Sequence, residues 1–308
     1  MRHEGKLRLL YIHKLLKERT DEEHTLSTVQ LIKILKEEYG ISAHRTTIAE
    51  DIKTLQEFGY DIGIIESTQN KFYLASRQFD TAEVQMLIDA VASSKFITER
   101  ESKALIKKLS TMTSTFKADE IKRNIKPESR IKSKNESVLY IVDAINAAIN
   151  NKKKISFTYF RYDEHKKKVV KNDGESYIFS PYALIWSGDF YYAVGWSDKH
   201  SDISCFRVDR FATIPDILEE KAVKKPKGFN AENYVRINHN MFGAGHVETV
   251  KLKCDGTVMN AIIDRFGYDV KTEACEDGTF IATVEVAVNS AFKGWIAGFD
   301  GLVNIMSL

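Results

Sequence analysis

The apolar residues of this chain keep a helical period up to about residue 152 and a two-residue period beyond it, a switch that limits the available folds. Purely helical and purely β architectures are excluded. Upstream of the switch, Leu7, Leu10, Tyr11, Leu15 and Leu16 predict a helix over residues 6–19. Val29, Leu31, Ile32 and Leu35 predict a second over 28–38, behind a Thr25/Ser27 cap signal. Ile48, Ile52, Leu55 and Phe58 mark the packing seam of a third across 42–59, with Ser42 as its N-cap and Gly59 as its stop. Gly40, in the turn between the second and third helices, can take positive φ and let them cross steeply. The runs 61–65 and 71–74 flank a polar segment and predict a hairpin.

His44, Arg45, Thr46 and Thr47 crowd the first turn of the third helix, where side chains and backbone N–H groups can meet phosphates and base edges. That pattern points to duplex DNA. Charge does not decide it, because residues 1–60 hold ten Lys/Arg and ten Asp/Glu, and similar helices with a hairpin serve proteins that never touch nucleic acid. Residues 100–134 are more basic, with eleven Lys/Arg against four Asp/Glu. Such a stretch can follow DNA phosphates or form a solvated helical face.

Further helices are predicted behind the Asp80/Glu83 capping box (Val84, Leu87, Ile88, Val91, Ala92), around Leu105, Ile106, Leu109 and Met112, and over 137–150, with a third stretch within the basic region ending at Pro127. Their apolar stripes suit a dimer seam or packing within their own domain. After residue 152, strands are predicted at 155–162, 176–180, 181–186, 190–196 and 203–211, with 163–174 as a polar loop. Strands so closely spaced form a small barrel or a strongly bent sheet. Beyond the loop 224–228, strands 247–254 and 279–288 surround a helix over 258–266 closed by Gly267, an α+β arrangement.

Tyr177, Tyr182, Trp186, Tyr191, Tyr192, Trp196 and Phe206 lie close in sequence to Arg207 and Arg210. Aromatic planes stack bases and guanidinium forks grip phosphates, which describes a nucleotide or single-strand pocket. The same residues also suit a filled barrel whose arginines pair with Asp209 or other acids. Nothing reads as an active site. Gly243, Ala244 and Gly245 are too short a run for a phosphate loop, and His239 and His246 have no third ligand at a metal spacing. Neither a cofactor nor a metal is expected, and the chain is not expected to be an enzyme. Cys205, Cys254 and Cys275 are far apart and read as free thiols in a reducing compartment. At 308 residues and 43% hydrophobic the chain can form two or three cores, and no apolar run approaches the ~20 residues of a membrane span. With no apolar stretch behind Met1 to act as a secretory signal, a cytoplasmic location is expected.

Together these residues resemble the WYL-domain transcriptional regulators, which carry an N-terminal DeoR-type winged helix-turn-helix. The resemblance spans nearly the whole chain. It rests on 45–48 and 51–55 in the third helix, on 71–74, and on Ile155, Ser156, Phe157, Thr158, Tyr159, Ser180, Pro181, Tyr182, Tyr191, Tyr192, Ala193 and 206–210. Tyr191 and Ala193 replace the Trp and Leu of the family's title motif, and Glu50 stands where an Arg is usual. The resemblance implies a further final helix beyond the extension, and that helix is expected to be missing from a sequence stopping at Leu308. The implied fold is α+β and multidomain: a winged helix-turn-helix over 1–77, a helical connector over 78–150, a small Sm-like β-barrel over 151–222 and an α+β extension over 223–308. The implied function is a DNA-binding regulator, expected to be a homodimer, whose barrel senses a nucleic-acid or nucleotide-like anion. Lys53 and Lys71 join His44, Arg45, Thr46 and Thr47 as implied contacts to a double-stranded operator. Tyr159, Tyr182, Tyr192, Arg207 and Arg210 are the implied ligand residues, with Ser156 and Trp186 beside them. Two other classes fit the same sequence, a protein-docking adaptor and an accessory factor in nucleic-acid processing.

Overall fold

The computed structural model describes residues 4–66, 68–124, 131–231, 234, 237 and 247–307. They fall into two compact units, Met1–Lys132 and Ser133–Leu308.

In the first unit, α1 (Glu4–Arg19), β1 (Leu26–Ser27), α2 (Thr28–Tyr39), α3 (Arg45–Phe58), β2 (Ile62–Ile65) and β3 (Lys71–Leu74) share one core. Ile12, Leu15 and Leu16 supply the buried stripe of α1, at i, i+3 and i+4, and meet Leu31, Leu35, Ile48, Ile52 and Leu55. Leu7 and Leu10 lie off that stripe and are exposed, contrary to the expected face. Phe58 is also not core: it is 78% exposed in the last turn of α3, past the end of the seam. Ser27 caps α2 in a reciprocal box with Gln30, and Gly40 follows with φ 67°, donating to Leu35 and Lys36 carbonyls. The cap of α3 is His44 and not Ser42, because residues 41–44 remain outside any helix. The three strands form an antiparallel sheet in the order β1-β3-β2.

Three more helices, α4 (Thr81–Ser93), α5 (Glu99–Ser110) and α6 (Thr115–Asn124), complete this unit. A polar knot at the end of α1 fixes them. Asp21, 3% exposed, accepts from the Ser114 hydroxyl at 2.6 Å and from His24 Nδ1 at 2.8 Å. The Thr20 hydroxyl accepts from the Leu74 N–H at 3.0 Å, and Arg77 donates to the Lys17 and Thr20 carbonyls. Lys132 Nζ donates to the Ala92 and Ser94 carbonyls at 2.8 and 2.7 Å, satisfying the C-terminal end of α4. Pro127 and part of the basic stretch lie outside the described residues.

The second unit opens with α7 (Val138–Asn151), whose Val138, Ile141, Ile145 and Ala148 are buried. That apolar face packs on the sheet that follows, so α7 belongs with the strands although it was expected in the connector. The strands are β4 (Lys153–Phe157), β5 (Phe160–Tyr162), β6 (Lys168–Val170), β7 (Tyr177–Ser187), β8 (Phe190–Ser197), β9 (Asp202–Arg207) and β10 (Asp216–Lys221). Five of them form an antiparallel sheet in the order β10-β4-β7-β8-β9, while β5 and β6 pair with each other: the strand expected over 155–162 breaks after Phe157, and β6 lies inside the expected loop. Among the described residues no ladder joins β9 to β10, so the sheet is not a closed barrel. The reason is local. Where the strand was expected to run to Phe211, a 3-10 turn at Val208–Arg210 diverts the chain, leaving a single bridge from Tyr159 to Phe211.

The chain ends in a second antiparallel sheet of β11 (Val247–Asp255), β12 (Lys271–Ala274), β13 (Thr279–Ala287) and β14 (Val303–Ser307), ordered β12-β13-β11-β14. Ile262 and Phe292, from the helices Met259–Phe266 and Ser290–Ala297, fill its core with Val250, Leu252, Phe280 and Val303. Gly267 closes the first of these helices at φ 91°. Beside it a hollow of about 360 Å³ is lined by Phe266, Asp269, Lys271 and Glu285. The expected glycine turn at 243–245, His239 and His246 lie outside the described residues.

Candidate nucleic-acid interface and ligand-sensing residues

The seam of α3 sets what its first turn can offer. With Ile48, Ile52 and Leu55 turned into the core, His44, Arg45 and Thr46 are exposed and Thr47 is half-buried. His44 makes no side-chain cap bond, so it leaves the first N–H groups of α3 to other acceptors. Asp51, on the inner side, is paired with Arg8 at 2.5 Å, and this bond raises the Arg8 pKa against the opposing effect of burial. The pair locks α1 to α3 and removes both charges from the outer face. Lys53 is exposed and 3.7 Å from Glu57; Lys71 is exposed at the start of β3. Glu50, Lys53 and Glu57 therefore share the outer side of α3, and Arg45 is the cation at its leading end.

In the five-stranded sheet, register separates the expected ligand residues. Tyr192 pairs with Arg207 and Ile185, so the three share one face. Arg207 lies 3.4 Å from the Phe190 ring centroid and donates twice to Asp209, at 3.1 and 2.8 Å. Burial opposes its charge, but the Asp209 bonds outweigh burial and the pKa is raised. Arg210 differs. It is half-buried and has no hydrogen bond or ion pair among the described residues, and its charge partly offsets the rise that burial gives the Tyr159 and Tyr192 phenols. The Tyr159 hydroxyl accepts from the Arg207 N–H at 3.2 Å, while its ring packs edge-on to Phe157, Phe206 and Phe211. Tyr159, Tyr192, Arg207 and Arg210 thus form one electrostatically coupled group.

The remaining three lie elsewhere. Tyr182 is buried at the bulge of β7, its hydroxyl donating to the Lys224 carbonyl at 3.3 Å and its ring 5.7 Å from Phe229. Trp186, at the far end of β7, meets Tyr191 edge-on at 4.8 Å. Ser156 is half-buried in β4 between Ile178 and Asp216. Sequence reasoning did not single out two contributors. Asn135 Nδ2 donates to the Asp209 and Phe211 carbonyls at 3.3 and 3.1 Å, across more than seventy residues, and so holds the turn that bears Arg210. Phe190, two residues before Tyr192 and therefore on its face, could have been found from strand alternation. Burial pushes the Cys205 thiol up to about 12 and Cys254 to about 11, so both stay protonated at neutral pH.

A WYL domain spans residues 140–215 by its match to that family's model. The match begins inside α7 and ends just before β10, so this WYL domain carries Tyr159, Tyr192, Arg207 and Arg210. No curated protein matches the sequence. Among solved structures, proteasome accessory factor B/C of Arthrobacter aurescens is similar at 18% identity and a TM-score of 0.30. The alignment covers 99% of this chain and 44% of that one. Among the described residues no helix is long and apolar enough to cross a membrane, and no three His, Cys, Asp or Glu side chains converge as a metal site would require.

Proposed function

We propose that the chain is a ligand-responsive, DNA-binding transcriptional regulator. In this reading residues 1–77 act as a winged helix-turn-helix that lays the first turn of α3 in a major groove, with β2 and β3 as the wing. The observation that carries it is the exposed, side-chain-uncapped start of α3, where His44, Arg45 and Thr46 stand over a fully packed seam. The WYL domain supports the second half: Arg210, which has no hydrogen bond or ion pair among the described residues, acts on two phenols, which suits a nucleic-acid or nucleotide-like anion. Two copies would place two α3 helices one turn of DNA apart on an inverted repeat. The ligand would shift their spacing through its differential affinity for two arrangements, typically about 1–3 kcal/mol. The chain binds and does not catalyse.

Fluorescence anisotropy with duplex from the region upstream of the coding sequence tests the first half. Binding should weaken steeply as salt rises, and Arg45→Ala should remove the preference for that duplex over an unrelated one. Absence of salt-dependent duplex binding would favour the adaptor reading, and magnesium-dependent cleavage would favour the processing factor.

A further inference from the structure

Between β4 and β7 the chain leaves the sheet for the β5–β6 hairpin, which buries almost nothing. From 161 to 171 every residue is exposed except half-buried Asp163, and Phe160 alone is buried at the root. Strands this short are not held by packing, so local bonds must shape them. Asp163 Oδ1 accepts from the His165 and Lys167 N–H groups at 2.9 and 2.8 Å, and Lys166 takes φ 62° to close the turn. At the base the Lys171 N–H donates to the Tyr159 carbonyl at 2.7 Å. The Asp163 carboxylate is thereby occupied by backbone donors.

The same eleven residues hold five Lys/Arg against Asp163 and Glu164, and Glu164 pairs with its neighbour His165 at 3.7 Å. Among the described residues, Arg161, Lys166, Lys167, Lys168 and Lys171 have no carboxylate within ion-pair distance. On the adjoining β4, by contrast, Lys153 pairs with Glu219, and Lys154 pairs with Asp198 and Glu220. Cations left unneutralised on one exposed ribbon call for a partner with many closely spaced negative charges. Register decides which kind. Tyr162 pairs with Lys168 on one face and Arg161 with Val169 on the other, with Lys166 and Lys167 at the tip. Charge therefore surrounds the ribbon, whereas a membrane-surface element segregates an apolar face from a charged one. A two-stranded ribbon fits the major groove, whose two walls are phosphate.

We infer that this hairpin is a second duplex contact, independent of base sequence, made to the phosphate backbone. The inference rests on the DNA-binding reading above and adds a surface on the other compact unit. The test uses the full chain with lysines 166, 167 and 168 replaced together (K166Q/K167Q/K168Q), in anisotropy titrations across salt. Three lost phosphate contacts should lower the slope of log affinity against log salt by about 2.7, so the affinity lost between 50 and 200 mM salt shrinks about 40-fold. Operator and unrelated duplex should weaken alike. Should the triple variant melt at a lower temperature, Arg161→Gln alone is expected to lower the slope by about 0.9. An unchanged slope in these variants, with Arg45→Ala still losing operator preference, overturns the hairpin contact and leaves the regulator reading intact. A lysine-dependent slope seen only with single strands also overturns it.

Discussion

Arg207 and Arg210 stand three residues apart and answer to different partners. Arg207 is held between Asp209 and the Phe190 ring, so Arg207→Ala leaves a carboxylate that is 13% exposed without its main partner. The expected loss is about 1–3 kcal/mol, read by urea denaturation. Arg210→Ala should leave stability within about 0.5 kcal/mol and abolish any response of duplex binding to a nucleotide-like anion. Equal destabilisation by both variants would make Arg210 structural. In α1, Arg8→Ala strands buried Asp51 and should cost about 3 kcal/mol, weakening duplex binding through displacement of α3. His13 gives a pH signature. Burial lowers its pKa, Lys17 adds to this, and its ring lies tilted against Tyr60 with centroids 4.1 Å apart. Between that lowered value and 6.5 the unfolded chain binds more protons than the folded one, so stability falls as pH drops through this window. His13→Gln should flatten the slope of denaturation midpoint against pH there.

At the scale of elements, two positions test how the WYL sheet is held. In β8, a Cβ on Gly195 would lie 2.1 Å from the Ser180 carbonyl and 2.9 Å from Pro181 Cα, both backbone atoms that cannot yield cheaply. Gly195→Ala should therefore destabilise this unit by several kcal/mol, about the upper end for single substitutions, as thermal unfolding will show. Asn135→Ala removes both donors to the 208–211 turn and should lower ligand affinity more than stability. Element identity was legible wherever local signals agreed. The Ser27 cap signal, the Asp80/Glu83 box and Gly59 marked helix ends that the structure keeps. Local signals misled where burial depends on distant partners: Phe58 continues the α3 period yet points past the core, and Leu10 lies off the α1 stripe. Residues 168–170, the second strand of the β5–β6 hairpin, read as part of a polar loop because all three are exposed and bury no apolar face, and that face is the alternation a strand is recognised by.

Across the whole molecule, each compact unit has its own buried cluster, the first around Leu16, Leu31 and Ile48 and the second including Val250, Leu252 and Phe280. A fragment starting at Ser133 should fold alone with a β-rich circular dichroism spectrum and cooperative melting; a non-cooperative melt would count against the division. The amino-acid order alone determined that a mainly helical half precedes a mainly β half, where most elements begin and end, and which aromatic and cationic residues stand near one another along the chain. It could do so because periodicity, caps and turn residues act over a few positions. Only the tertiary structure decided which charges remain available: Asp51 takes Arg8, Asp209 takes Arg207, and among the described residues Arg210 and the hairpin lysines have no acid within ion-pair distance. Ion pairing depends on distances of a few ångströms between side chains, and most of those distances are set by how strands register and helices pack.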